Sequence, residues 1–139
     1  VIRTLAFYDA CSIMTVSWNV ILLDEVHDWL MILAKEDPRT ADGVVAAIDT
    51  LAEVGPTLGR PFVDVINHSR IHNLKELRPR STGNAVVRVL FVFDPDRQAV
   101  LLVAGDKTGR WKQWYDRNIP LAEIRYQRWL AGGYSEERG

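Results

Sequence analysis

Arg88 is the single charged residue in the run 85–93 (AVVRVLFVF), the most strand-like segment of the chain. A charge inside an apolar strand is costly unless it is paired or faces a ligand. Folding the chain about residues 94–98 sets Arg88 opposite Ala104, with Lys107 just beyond. Folding it about residues 79–84 sets Arg88 opposite Lys75, with Arg78 nearer the turn. On this register Lys75, Arg78, Arg88 and Lys107 converge at one end of three neighbouring strands, with no matching set of carboxylates. Such a cluster suits a phosphate backbone, because guanidinium forks and ammonium groups match phosphate oxygens. The segment 109–117 (GRWKQWYDR) adds Trp111, Trp114 and Tyr115 among Arg110, Lys112 and Arg117. Aromatic faces among cations are surfaces on which unstacked bases bind. A plainer reading stays open for both features: Arg88 pairs with Glu76 or Asp106 for structural reasons, and two of the three rings belong to a core.

Other chemistries find less support. The chain has no phosphate-binding glycine loop, dinucleotide fingerprint, nucleophile elbow or HExxH motif. Its three histidines, His27, His68 and His72, lack metal-ligand spacing, and the one cysteine, Cys11, allows neither an intrachain disulfide nor a cysteine-based zinc site. No metal and no cofactor are expected.

The elements that must carry these residues can be read from periodicity. Residues 16–22 form a first strand, with Val16, Trp18, Val20 and Leu22 on one face. Asp24 is a capping candidate for a helix over 25–35, where Val26, Trp29, Leu30 and Leu33 recur at helical spacing. Asp37 caps a second helix, with Pro38 in its first turn and Gly55-Pro56 as its stop. Residues 55–61 are a loop, 73–78 a modest strand, 79–84 a turn, 85–93 the central strand, 94–96 a tight turn and 99–104 a further strand. Asn118 and Pro120 open a last helix over 120–131, which Gly132-Gly133 ends. This order predicts a small α+β domain: a largely antiparallel sheet of about four strands, an N-terminal helical hairpin and a C-terminal helix.

Length and charge bound the function classes. The 139 residues suffice for one domain that buries a real core, and no apolar run is long enough to span a bilayer. Net charge is −1, but residues 1–59 hold three Lys/Arg against nine Asp/Glu, whereas residues 60–117 hold eleven against six. The second region can therefore present an anion-facing surface on a nearly neutral protein. Residues 1–13 do not read as a secretory leader, and the domain is expected over 14–139, with 1–13 as an extension outside it. A cytoplasmic protein with no membrane association is expected.

The runs GPTLGRP (55–61), NLKELRP (73–79), VRVLFVFDPDRQAVLLVAGDKTG (87–109) and WYDRNIPLA (114–122) together resemble the RelE/HigB superfamily of bacterial toxins, especially its phage-derived HigB-like branch. The resemblance covers about residues 16–130. It implies a compact fold of the microbial-ribonuclease type and the toxin of a type II toxin–antitoxin system, an endoribonuclease that cuts messenger RNA on the ribosome. It also implies a cognate antitoxin of the helix-turn-helix kind. Carried over by position, it makes Arg88 a phosphate contact, Arg78 the basic residue closing the preceding strand, and Lys107 the basic residue after the last strand's glycine. Lys75 and Tyr115 match only approximately, and Glu76 stands where a lysine is expected.

Residues and resemblance together give a catalytic set of Lys75, Arg78, Arg88 and Lys107. The set expected to bind substrate is His72, Arg80, Arg110, Trp111 and Tyr115. RNA brings its own nucleophile, the 2′-hydroxyl, so the protein must supply charge stabilisation and proton exchange. Lys75, Lys107 and His72 are the candidates for the latter. The rival reading is a module of the same fold that binds RNA or antitoxin without catalysis and acts in operon repression.

Overall fold

The computed structural model describes residues 3–4, 17–81 and 83–134. Strands β1 (Arg3–Thr4) and β2 (Asn19–Leu22) precede helices α1 (Asp24–Glu36) and α2 (Pro38–Val54). Strands β3 (Val63–Val65), β4 (Lys75–Leu77), β5 (Val87–Phe93) and β6 (Gln98–Asp106) follow, and then helix α3 (Trp111–Leu130). One sheet runs in the order β1-β2-β6-β5-β4-β3. All its pairings are antiparallel except β2 with β6. The expected α+β architecture holds. The sheet is wider than the four strands expected, because β1 and the three-residue edge strand β3 are too short to show a period. Val16 and the core of the expected N-terminal extension lie outside the described residues, while Arg3–Thr4 pair with β2.

The helical hairpin forms for local reasons. Asp37 caps α2: its carboxylate accepts from the Thr40 amide at 3.3 Å and the Thr40 hydroxyl at 2.6 Å, with Pro38 in the first turn. Leu23, not Asp24, holds the N-cap position of α1, so Asp24 acts instead as a first-turn negative charge beside the helix dipole. Gly55 ends α2 at φ 74°, where a side chain would run into the Trp18 indole. Val26, Leu30, Val44, Ile48 and Leu51 turn inward onto Val20, Leu22, Val89, Phe91 and Leu101 of the sheet.

The opposite face of the sheet carries α3. There Ile21, Leu90, Val92, Val100, Leu102 and Val103 meet Trp114, Ile119, Ala122, Tyr126 and Trp129. The last helix thus begins at Trp111, nine residues before the expected start, and Pro120 lies inside it. The apolar stripe over residues 114–129 decides this: tertiary packing along one helix face overrides a local proline signal. Two residues before the proline, the Asn118 side-chain amide donates to the Trp114 carbonyl at 2.8 Å. Gly132, at φ 79°, follows the helix end as expected.

Strand β6 contains an irregularity against β5. Phe91 pairs with Leu101, but Leu90 pairs with Val103, so β6 holds one extra residue. Both Leu102 and Val103 consequently point toward α3. Below this bulge every partner is displaced by one, and Arg88 faces Gly105 rather than Ala104.

Phe91 is fully buried and meets Phe93 edge-on, with ring centroids 5.3 Å apart. Replacing Phe91 by alanine should lower the unfolding free energy by about 3–5 kcal/mol. Urea denaturation followed by tryptophan fluorescence measures the loss.

Candidate functional site

The ends of β4, β5 and β6 under the first turns of α3 hold the charged cluster. Period-two alternation fixes which side chains reach it. Glu76 pairs with Leu90, whose side chain packs on the α3 side, and Arg78 follows on the same face. Arg88 shares that face, opposite Gly105. The displaced register of β6 then brings Lys107, two residues on, to the same side. Gly105 has a steric role: a Cβ there would lie 2.8 Å from Nε1 of Trp114, which crosses the strand end at this point.

Glu76 lies at the centre and is only 3% exposed. Its Oε2 accepts from Arg78 Nε at 3.0 Å and from Nη2 at 2.8 Å. Its Oε1 accepts from the Tyr115 hydroxyl at 2.6 Å. Arg78 also donates to Asp64 Oδ2 at 3.1 Å. Arg88 donates from Nη1 to its neighbour's carbonyl, Val87 O, at 2.8 Å. Its Nε, 3.9 Å from Glu76 Oε1, is buried without a hydrogen-bond partner. Lys107 is also 3% exposed. Its Nζ donates to the Tyr115 hydroxyl at 2.9 Å and sits 3.9 Å from the centroid of the Trp111 ring, a cation–π contact. Trp111 is itself largely exposed and covers the lysine.

The titration properties follow from this packing. Burial, then the positive charges of Arg88 and Arg78, hold the Lys107 ammonium below the usual lysine range, with Glu76 acting in the other direction. Burial and the hydrogen bond to Glu76 push the Tyr115 hydroxyl far above the usual tyrosine range. Tyr115 therefore keeps its proton at neutral pH. For Arg78, burial works against the charge, but the hydrogen bond and charge of Glu76, with Asp64, raise its pKa.

Five of the nine residues expected from sequence meet here: Arg78, Arg88, Lys107, Trp111 and Tyr115. Lys75 does not. It lies opposite Phe91 on the helical-hairpin side of the sheet, with Nζ 5.7 Å from the Phe93 ring. His72 is exposed in a groove of about 710 Å³ farther along α3, between Ile71 and Tyr126. Glu123 ties that loop to α3 by accepting from the Ser69 hydroxyl at 2.8 Å and the Arg70 amide at 2.7 Å. Arg80 runs past α2, its carbonyl 3.4 Å from where a Cβ on Gly43 would stand. Arg110 is exposed at the N-cap of α3 and borders a different groove, with Trp114 and Arg117.

The expectation of cations without carboxylates is corrected: Glu76 and Asp64 both pair with Arg78. The signal for Glu76 lay in the alternation of Lys75-Glu76-Leu77-Arg78. Leu77 belongs to the hairpin-side core, which puts Lys75 with it and Glu76 with Arg78. Among the described residues, no group of three His, Cys, Asp or Glu could hold a metal ion, and no helix is long and apolar enough to cross a membrane.

Comparison with known proteins adds an independent line. The family profile described as "Phage derived protein Gp49-like (DUF891)" matches residues 31–127. The "Putative toxin HigB3" of Mycobacterium tuberculosis is 53% identical over 112 residues, covering 81% of this chain and 93% of that protein. The chain belongs to the Gp49-like, HigB-like family. The "Putative toxin HigB2" of the same organism is 47% identical over 117 residues, or 84% of this chain; the match spans 56% of that longer relative. No solved structure matches the chain. The family match includes β4, β5, β6 and the part of α3 that carries Tyr115, so the charged cluster lies wholly inside it.

A buried ammonium beside two guanidinium groups opposes folding, so Lys107→Met should be at least as stable as wild type, with a gain of up to ~1 kcal/mol. The sign with pH is fixed. The folded pKa of Lys107 lies below its ordinary value of 10.5, so the unfolded chain binds more protons in the window between them. Wild type should gain stability relative to Lys107→Met as pH rises through that window. Urea titrations of both proteins from neutral pH to just below the onset of tyrosine ionisation check this.

Proposed function

We propose that the protein is the toxin of a toxin–antitoxin pair and acts as an endoribonuclease on messenger RNA at the ribosome, held in check by a cognate antitoxin of the helix-turn-helix kind. One observation carries the reading: Arg78, Arg88 and Lys107 share a single strand-end site beneath Trp111 and Tyr115, in a chain whose relatives are named as toxins. Three cations set against the two carboxylates of Glu76 and Asp64 still leave a net positive site suited to a phosphodiester.

The chemistry assigns each group a task. The RNA 2′-oxygen attacks the adjacent phosphorus as its proton passes to a solvent water, the bond to the 5′-oxygen breaks, and the chain ends as a 2′,3′-cyclic phosphate. Arg88 turns its guanidinium into the same site, where it holds the non-bridging oxygens as negative charge develops on them. Arg78, anchored by Glu76 and Asp64, adds a fixed positive charge from the side. Lys107 delivers a proton to the departing 5′-oxygen; a lowered pKa is the direction that makes an ammonium the better acid. Tyr115, always protonated near neutral pH, accepts a hydrogen bond from that lysine rather than serving as a base. Trp111 covers Lys107, so a substrate base reaches the lysine by displacing the indole ring and stacking against it.

This assignment moves proton exchange away from Lys75 and His72, which face other parts of the molecule. The site also supports binding without turnover, because Lys107 is covered and Arg78 is already engaged. Substitutions separate the two readings. Expression without antitoxin should stop incorporation of labelled methionine in the native host. Arg88→Ala should cut RNA cleavage by roughly 10²–10³-fold and relieve the arrest while the protein stays folded. Lys75→Ala should remain toxic. Undiminished arrest by a folded Arg88→Ala protein would refute the site.

A further inference from the structure

We infer that Glu76 is the positioning residue of this site, a buried carboxylate that sets the direction of the Tyr115 hydroxyl, and through it Lys107, without touching substrate. The inference rests on the ribonuclease reading above and adds a residue that neither the sequence motifs nor the family resemblance assigns.

Glu76 is placed where a carboxylate is costly. Buried apolar groups flank it on the α3-facing side of the sheet, with Leu90 directly opposite and Leu74 and Val103 in the buried cluster on that face. Burying a carboxylate there opposes folding unless its oxygens are fully engaged. They are: Arg78 occupies Oε2 through two N–H groups, and the Tyr115 hydroxyl occupies Oε1. With both oxygens engaged and only 3% of the residue exposed, Glu76 has no surface from which to take a proton from RNA.

What the carboxylate controls is direction. An ionised carboxylate accepts and cannot donate, so the Tyr115 hydrogen must point at Oε1. That leaves a lone pair of the phenolic oxygen facing Lys107, whose Nζ donates to it at 2.9 Å. The ammonium is thereby held by one hydrogen bond and by the Trp111 ring, and its remaining N–H groups face a substrate oxygen once that ring is displaced. The same carboxylate fixes the Arg78 fork at its Nε edge. One group thus orients two cations, each just past the end of a different strand.

The charge of Glu76 acts in the opposite sense on binding. It subtracts one unit from a site that must attract a phosphodiester. Removing that charge while keeping the size of the side chain should help RNA bind and hinder its cleavage. A residue that served only the fold would, when changed, lower both together.

The test uses the full-length protein with programmed ribosomes, after its cut position on a message has been mapped. Binding is measured on the same message carrying 2′-deoxyribose at that position, and cleavage on the all-ribose message at saturation. Glu76→Gln should bind the deoxy message as tightly as wild type or several-fold more tightly, and cleave the ribose message roughly 10²-fold more slowly. Tyr115→Phe, which cuts the link while leaving Glu76 in place, should show the same slow cleavage with unchanged binding. The double variant should be little slower than either single one, because the two act in one chain. If Glu76→Gln does not fold, Tyr115→Phe alone decides, and cleavage at the wild-type rate overturns the inference. Proportional loss of binding and cleavage in Glu76→Gln also overturns it. A wild-type protein that leaves the ribose message intact removes the ribonuclease reading itself, and this inference with it.

Discussion

The 2.6 Å hydrogen bond from Tyr115 to the buried Glu76 joins α3 to β4 and holds the charged cluster together. Without a carboxylate at that point, Arg78, Arg88 and Lys107 would crowd at one sheet end with only Asp64, paired with Arg78, to offset them. With it, each cation has a defined place: Arg78 against the carboxylate, Lys107 against the tyrosine that the carboxylate orients, and Arg88 between them. The arrangement is affordable because two separate apolar layers support it. The helical hairpin closes one face of the sheet and α3 the other, so the cluster can remain electrostatically tense without opening the domain.

Backbone irregularities set the geometry of the site more than its charges do. The extra residue in β6 shifts the register below Leu90 by one, which puts glycine rather than alanine across from Arg88. That glycine admits the Trp114 ring, and the ring sets the height at which α3 crosses the strand ends. The early start of α3 then places Trp111 and Tyr115 one turn apart over Lys107. Had the helix begun at Pro120, neither aromatic residue would have been fixed above the cations.

These details explain which parts of the molecule could be read from its amino acids. The hairpin was legible because Asp37, Pro38 and Gly55 are strong local signals backed by a long apolar period. The central strand and the special position of Arg88 were legible because a lone charge in such a run stands out. The partners of Arg88 were not, since a bulge has no local signature and a one-residue slip turns every side chain over. Lys75 falls on the other face because it pairs with Phe91, three residues along β5 from the expected Arg88, although the alternation with buried Leu77 was present in the sequence. The extent of α3 was hidden by Pro120, whose local preference loses to the packing of Trp114, Ile119 and Ala122. His72, Arg80 and Arg110 were grouped with the site by nearness in sequence, and the topology disperses them.

The central claim is that this cationic cluster cleaves RNA through the RNA's own 2′-hydroxyl. End-group analysis of the cut message tests it most directly, comparing an all-ribose message with one that carries a single 2′-deoxyribose at the mapped position. The account predicts a 2′,3′-cyclic phosphate and a 5′-hydroxyl from the first, and no cut at that position in the second. A free 3′-hydroxyl with a 5′-phosphate, or cleavage of the deoxy message at the same place, would contradict it.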